Sequence, residues 1–270
     1  MNSDKKVVVI TGGAGGIGQT CAKVFKNDPL IITDYSQEQV DKTVASLTKE
    51  GYQAIGFACD ITNKEAVEKL VDFTSKAGTL KALIHTAGVS GTVQDLKKVF
   101  TIDLIGTDIL INAFYKIATK DSVAVLLSSM MAHVVPANET YDQALRDPQA
   151  ANSFETVAPF VKGNSDMMYN FAKRGVILLS HKYVDAWGAK GARLVTVSPG
   201  VIETPMALKA AEEHPERMEM IKQATPLKRN GQSQDIADVV GFLASDAARF
   251  ITGTDILVDG GVIHNIKKMN

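Results

Sequence analysis

Tyr169 and Lys173 stand four residues apart in a stretch with helical patterning, so their side chains share one face of a helix. That pairing suits acid–base chemistry. A phenol ordinarily loses its proton near pH 10. A neighbouring ammonium lowers that value, and a shift of about three units is worth about 4 kcal/mol in favour of the phenolate. Tyr169 then becomes a usable proton donor and acceptor near neutrality. The YxxxK spacing alone is common on helix surfaces. Its weight comes from its place, after the fifth strand-like run and beside the serine pair Ser128-Ser129 that ends that run. Ser129 is the candidate to hold a substrate oxygen by a hydrogen bond.

The second feature is TGGAGGIG (11–18), directly after the apolar run KKVVVI (5–10). Strand, glycine turn and helix in succession bring a pyrophosphate onto a helix N-terminus, where unpaired N–H groups face the anion. The string fits three registers: GxGxxG through Gly13, Gly15 and Gly18, TGxxGxxG through Gly12, Gly15 and Gly18, and TGxxxGxG through Gly12, Gly16 and Gly18. Asp34 closes the next strand-like run, where a carboxylate accepts hydrogen bonds from both ribose hydroxyls of an adenosine. Its charge repels a 2′-phosphate. Tyr35, Ser36 and the glycine loop bring no cation to offset it, so NAD(H) is favoured over NADP(H).

The elements that position these residues follow an alternating pattern. Short apolar runs at 5–10, 30–34, 54–60, 82–88, 123–129, 192–200 and 254–261 read as strands. Helical patterns lie near 17–26, 37–50, 63–77, 95–118, 166–188 and 234–245. Strands alternating with helices of ten or more residues imply βαβ units and a doubly wound parallel sheet of seven strands, an α/β fold with helices on both faces. No repeat or linker divides the chain, so residues 1–270 read as a single domain. Two segments interrupt the alternation, about 133–165 and about 206–228. Long connections in compact domains usually serve as lids or binding segments.

Bulk composition narrows the function classes. With 45% apolar residues the chain can bury a sizeable core, and a net charge of −1 gives no steering toward nucleic acid or an anionic membrane. No apolar run reaches the length of a membrane span. Cys21 and Cys59 form no CxxC pattern, which points to a reducing cytoplasm, and no cluster has metal-ligand spacing.

Taken together these motifs resemble the short-chain dehydrogenase/reductase family over nearly the whole chain. The resemblance is carried by TGGAGGIG (11–18), Asp34, CDIT with Asp60, TAG (86–88), LLSS (126–129), YNFAK (169–173), SPGVIETP (198–205) and FLAS…ITG…VDGG (242–261). It implies a Rossmann fold, a nicotinamide cofactor and a small-molecule alcohol or ketone substrate. It selects the register Gly12, Gly16, Gly18, with Ile17 in the same cofactor loop. By resemblance Asp60 and Ile61 border the adenine, and Ala87 and Gly88 line the cofactor's path. Lys173 also holds the nicotinamide ribose, and Pro199, Gly200, Ile202 and Thr204 frame the carboxamide.

Two departures from the family pattern stand out. Family members commonly carry an asparagine in the fourth-helix segment, which helps hold a water beside the lysine; FTIDLIG places Asp103 there. Asp103 is therefore a candidate member of the proton relay. Ser129 and Tyr169 are also 40 residues apart, where the family usually has a dozen or so between them. The extra 133–165 segment resembles the insert-bearing subgroup that includes bacterial 3α-hydroxysteroid dehydrogenase/carbonyl reductase. The resemblance implies a homodimer or homotetramer. An insert at this position is expected to cover one subunit face, leaving a dimer through the last strand and helix.

Other residues read as structural. Tyr141 has no lysine four positions on, His85 reads as a satisfied core histidine, and Trp187 reads as core. His133 follows the serine strand and has a route to the substrate pocket. Met130, Met131, Met167, Met168 and Met206 flank the motifs and point to a bulky, apolar, steroid-like substrate. The expected function is NAD(H)-dependent interconversion of a secondary alcohol and a ketone. The alternative of another class is a catalytically silent NAD(H)-binding sensor or scaffold, which retention of Ser129, Tyr169 and Lys173 disfavours. An enoyl reductase shares the fold but usually spaces its tyrosine and lysine more widely.

Overall fold

The computed structural model describes residues 5–204 and 215–269. Seven strands form one parallel sheet: β1 (Lys6–Thr11), β2 (Leu30–Asp34), β3 (Ala54–Ala58), β4 (Thr79–His85), β5 (Val123–Leu127), β6 (Arg193–Pro199) and β9 (Asp255–Val258). Their order is β3-β2-β1-β4-β5-β6-β9, and every neighbouring pair is parallel. The chain winds outward from β1 to β3, then crosses back to start β4 on the other side of β1. That reversal opens a crevice at the carboxyl ends of β1 and β4, the place where doubly wound sheets bind ligands.

The five inner strands are buried on both faces, which explains their unbroken apolar runs, while the edge strands β3 and β9 are only partly covered. Val7, Val9, Leu83, Leu126 and Leu194 belong to one core. Val8, Ile10, Ile84, Val125 and Val195 belong to the other. The first core is closed by α3 (Lys64–Ala77), α4 (Leu96–Phe100), α5 (Gly106–Tyr115) and α8 (Ser165–Ala189); the second by α1 (Gly16–Lys23) and α10 (Ser233–Leu243). Trp187 is fully buried in the first core, as expected. Side chains fix the helix starts: Ser36 caps α2 (Gln37–Lys49), Asn63 caps α3, and Asn164 accepts from Met167 N–H to start α8. Each such cap is worth about 1 kcal/mol. The Asn164 cap sets the phase of the helix that carries Tyr169 and Lys173.

Three readings change. The helix expected near 95–118 is α4 and α5 joined by a π-helical turn, Thr101–Ile105, with Asp103 in its middle. The strand-like runs 54–60 and 123–129 end at Ala58 and Leu127, so Asp60 and both serines lie in the loops beyond the strands. The 133–165 segment folds into α6 (Glu139–Arg146) and α7 (Ser153–Val161), both packed against α8. The described chain also has a parallel pair of two-residue strands, β7 (Ile202–Glu203) and β8 (Gly231–Gln232), helices α9 (Pro215–Ala224) and α11 (Val262–Met269), and 3₁₀ turns at Met130–Val134 and Asp246–Ala248.

The inserted helices are bolted in place. Arg174 on α8 forms a two-point ion pair with Asp142 on α6, Nε to Oδ1 at 2.6 Å and Nη2 to Oδ2 at 2.5 Å. Tyr141 is buried edge-on against Phe171 and Phe160, with its hydroxyl on the Pro136 carbonyl. It is a packing residue. Gln149, between the two helices, donates to the buried Asp108 on α5 at 2.5 Å, and Tyr183 donates to the same carboxylate from α8.

Candidate active site

The glycine loop leaves β1 through Gly12, whose φ of +66° suits glycine, and where a Cβ would stand 2.5 Å from the Ala87 amide nitrogen. A Cβ on Gly18 would collide with the Gly12 carbonyl oxygen, so this glycine lets α1 sit down on the loop. Helix α1 begins at Gly16, and Gly15 before it offers no capping side chain. The first-turn N–H groups of α1 are thus left for an anion. Asp34 closes the arrangement: Oδ2 accepts from Ala14 N at 3.1 Å and Oδ1 from Tyr35 N at 2.8 Å. A carboxylate at the loop's edge, an uncapped helix start and a backbone with no room for a Cβ fit a dinucleotide.

The neighbouring loops continue this floor. Asp60 Oδ1 accepts from Thr62 N and Oγ1, shaping the turn after β3, and Ile61 is buried under Gly106. Thr86 donates its hydroxyl to the Thr11 carbonyl at 2.8 Å, holding Ala87 and Gly88 against Gly12. On the far side, Gly200 N donates to the Val258 carbonyl at 2.9 Å, fixing the turn after Pro199, and Ile202 is buried beside Gly231. Thr204 lies at the edge of the described residues; Met206 and residues 207–214 lie outside them.

Lys173 is the meeting point. Its Nζ lies 5.6 Å from the Tyr169 ring centroid, 3.9 Å from Asp103 Oδ2 and 3.4 Å from the Leu127 carbonyl oxygen. A Cβ on Gly88 would stand 3.1 Å from Nζ and 2.9 Å from Asp103 Oδ1, so only a glycine leaves the ammonium and carboxylate this close to the loop. The end of β5 is tied to the same point, because Ser128 donates to the Lys173 carbonyl at 2.8 Å. Ser129 turns the other way and accepts from Met131 N at 3.2 Å, starting a short 3₁₀ turn. Ser128, beside the expected Ser129, is thus a positioning residue, and the doubled serine at the strand end is its signal in the sequence.

Asp103 is buried, and burial raises its carboxyl above the usual range against the opposing pull of Lys173 and the Val89 N–H. Oδ1 accepts that N–H at 2.7 Å; Oδ2 is buried without a hydrogen-bond partner. Behind it, Thr107 donates to the Asp103 carbonyl at 2.7 Å. Since that hydroxyl has given its proton, it accepts from His85 Nε2 at 2.8 Å, and His85 Nδ1 accepts from Thr11 Oγ1 at 2.6 Å. Burial, reinforced by the Lys173 charge, pushes His85 down to about 3. It is a neutral, satisfied core histidine. His133 is engaged by Asp255 at 2.8 Å, and Ser198 donates to the other oxygen of that carboxylate.

Comparison with known proteins agrees with this geometry. Residues 6–141 match the family model described as short chain dehydrogenase. The chain belongs to the short-chain dehydrogenase/reductase family. Residues 155–263 match a second model of that superfamily, described as enoyl-(acyl carrier protein) reductase. Among relatives, the oxidoreductase YxbG of Bacillus subtilis is 31% identical, over 96% of this chain and 92% of its own length. The 7alpha-hydroxysteroid dehydrogenase of Bacteroides fragilis is also 31% identical, over 97% of this chain and 96% of its own. A solved 7 alpha-hydroxysteroid dehydrogenase, complexed with NADH and 7-oxo glycochenodeoxycholic acid, superposes with a TM-score of 0.78. It is 25% identical and covers 96% of this chain and 94% of that one. As a short-chain dehydrogenase the protein is an oxidoreductase that uses a nicotinamide cofactor.

Proposed function

We propose that this protein is an NAD(H)-dependent oxidoreductase that interconverts a secondary alcohol and a ketone on a hydrophobic, steroid-like substrate. The observation that carries the reading is Lys173, buried at the crevice with Tyr169 on its own helix face and the Ser128-Ser129 strand end bound to its backbone.

Gly12, Gly16, Ile17 and Gly18 would cradle the pyrophosphate, Asp34 the adenosine ribose, and Asp60 and Ile61 the adenine. Ala87, Gly88, Lys173, Pro199, Gly200, Ile202 and Thr204 would line the rest of the cofactor. When bound, the nicotinamide supplies or accepts the hydride. The chain's own residues do the remainder: Ser129 orients the substrate oxygen, Tyr169 moves the proton at that oxygen, and Lys173, with Asp103 behind it, sets the charge around the phenol. Asp34 supports NAD(H) by repelling a 2′-phosphate. The buried Met130 and its half-buried neighbour Met131, both next to Ser129, support an apolar substrate.

The test is incubation with NAD or NADP and a panel of steroids, bile acids, polyols and aryl alcohols, followed at the reduced-nicotinamide absorbance band. Turnover of a steroid or bile acid with NAD is the expected result. Turnover of polyols alone contradicts the substrate class, and silence across the panel with cofactor still binding favours a non-catalytic role. The enoyl reductase reading, which the description of the second family model suggests, predicts reduction of a conjugated C=C substrate with ketones untouched.

A further inference from the structure

Asp103 and Lys173 are two ionisable side chains almost wholly withdrawn from water and short of partners; burial raises the Asp103 carboxyl, and the Lys173 ammonium beside it pulls the other way, toward the carboxylate. The Asp103 side chain is 0% exposed and that of Lys173 8%. Among the described residues, Asp103 Oδ2 has no hydrogen bond, and the contacts of Lys173 Nζ with protein oxygens are the 3.4 Å approach to the Leu127 carbonyl and the 3.9 Å approach to Asp103. Buried ions in that state depend on each other for their charge. The groups facing them come from three elements: Lys173 from α8, Asp103 from the π-helical turn and His85 from β4. His85 is neutral. Asp166, at the start of α8, is exposed and turned toward Gly91.

A lone ammonium beside a phenol favours the phenolate. A carboxylate 3.9 Å behind the ammonium cancels much of that field and repels the phenolate. We propose that the Asp103 carboxylate keeps Tyr169 protonated to higher pH than a neutral side chain at this position would, so that near neutrality the site is set for ketone reduction. The inference rests on Tyr169 being the acid–base of the proposed reaction. In reduction the carbonyl C=O π bond breaks, a C–H bond forms with hydride from the reduced nicotinamide, and the Tyr169 O–H gives its proton to the carbonyl oxygen. The ketone is reduced and the nicotinamide oxidised. Alcohol oxidation runs the other way and needs the phenolate, the form that Asp103 makes scarcer near neutrality.

Asp103→Asn removes the charge while keeping an oxygen for the Val89 N–H. Two measurements on wild type and D103N test the inference. One is the pH dependence of alcohol oxidation and ketone reduction. The other is the ultraviolet titration of the phenolate, taken as the difference between each protein and its Tyr169→Phe partner, which needs no turnover. The expected result is that D103N lowers both the phenolate midpoint and the acidic limb of oxidation by about one pH unit. The ratio of kcat for oxidation to kcat for reduction near neutrality then rises up to about tenfold. Coincident midpoints in the two proteins overturn the proposal. Should D103N fail to fold, Asp103→Ser, neutral and still an acceptor, is read the same way. Turnover surviving in Tyr169→Phe would instead sink the acid–base assignment, while the spectroscopic titration would still report on Asp103.

Discussion

The Ser128 hydroxyl donates to the backbone carbonyl of Lys173 at 2.8 Å, across 45 residues of sequence. One hydrogen bond thereby fixes the end of β5, which presents Ser129, to the turn of α8 that carries the ammonium. Ser128→Ala is expected to cost about 1 kcal/mol of stability, the net worth of a hydrogen bond. It should lower kcat with little change in KM, because it loosens the register between substrate-holding and proton-moving residues. Steady-state kinetics with an identified substrate checks this; an unchanged kcat would remove Ser128 from the positioning of the site.

Asp34 is expected to set cofactor choice. Asp34→Ala should lower kcat/KM with NAD(H) about tenfold, the loss of one charge-assisted hydrogen bond of about 1.5 kcal/mol, while NADP(H) loses less or gains. Kinetics with both cofactors at equal concentration decides the matter. Wild-type turnover that is faster with NADP(H) contradicts the reading.

His85 links the fold to pH. Its folded value, about 3, lies below its ordinary 6.5, so between these values the unfolded chain binds a proton that the folded chain does not. Stability is therefore present in full above pH 6.5 and is lost as pH falls toward 3. The loss across that window is on the order of 5 kcal/mol. Denaturant titrations at a series of pH values should show it, and His85→Asn should flatten that part of the curve. A slope in the variant equal to wild type's would mean that other groups carry the acid sensitivity.

The insert is expected to hold through Arg174 and Asp142, whose side chains are 18% and 6% exposed. Asp142→Ala leaves a largely buried guanidinium unpaired and should cost about 3 kcal/mol, seen as a lower Tm. With α6 and α7 seated on α8, subunits would meet through β9 and α10, where Leu257 and Phe242 are exposed. Gel filtration of wild type should then give a dimer. A tetramer would contradict this use of the insert.

The sheet and the glycine turn after β1 were legible because their signals are local. Apolar runs report strands buried on both faces, and the turn needs glycine at Gly12 and Gly18 where the string places them. The π-helical turn was not, since 95–118 keeps a helical pattern throughout. What accompanies the turn there is tertiary: the Val89 N–H on the Asp103 carboxylate, and the Thr107 hydroxyl, itself held by His85, on the Asp103 carbonyl. The positioning role of Ser128 has no local signal beyond the doubled serine for a similar reason, as its partner is a backbone atom 45 residues away. The strands Ile202–Glu203 and Gly231–Gln232 are too short to show any period.

The central claim is that Tyr169 moves the proton while the glycine loop and Asp34 hold the cofactor. Tyr169→Phe separates the two, because it removes one hydroxyl from the site and nothing from the cradle. Single-turnover hydride transfer in this variant, measured at saturating NAD with cofactor affinity determined alongside, is the most direct test. The account predicts near wild-type NAD affinity and transfer slowed by about 100-fold or more; transfer at the wild-type rate would contradict it.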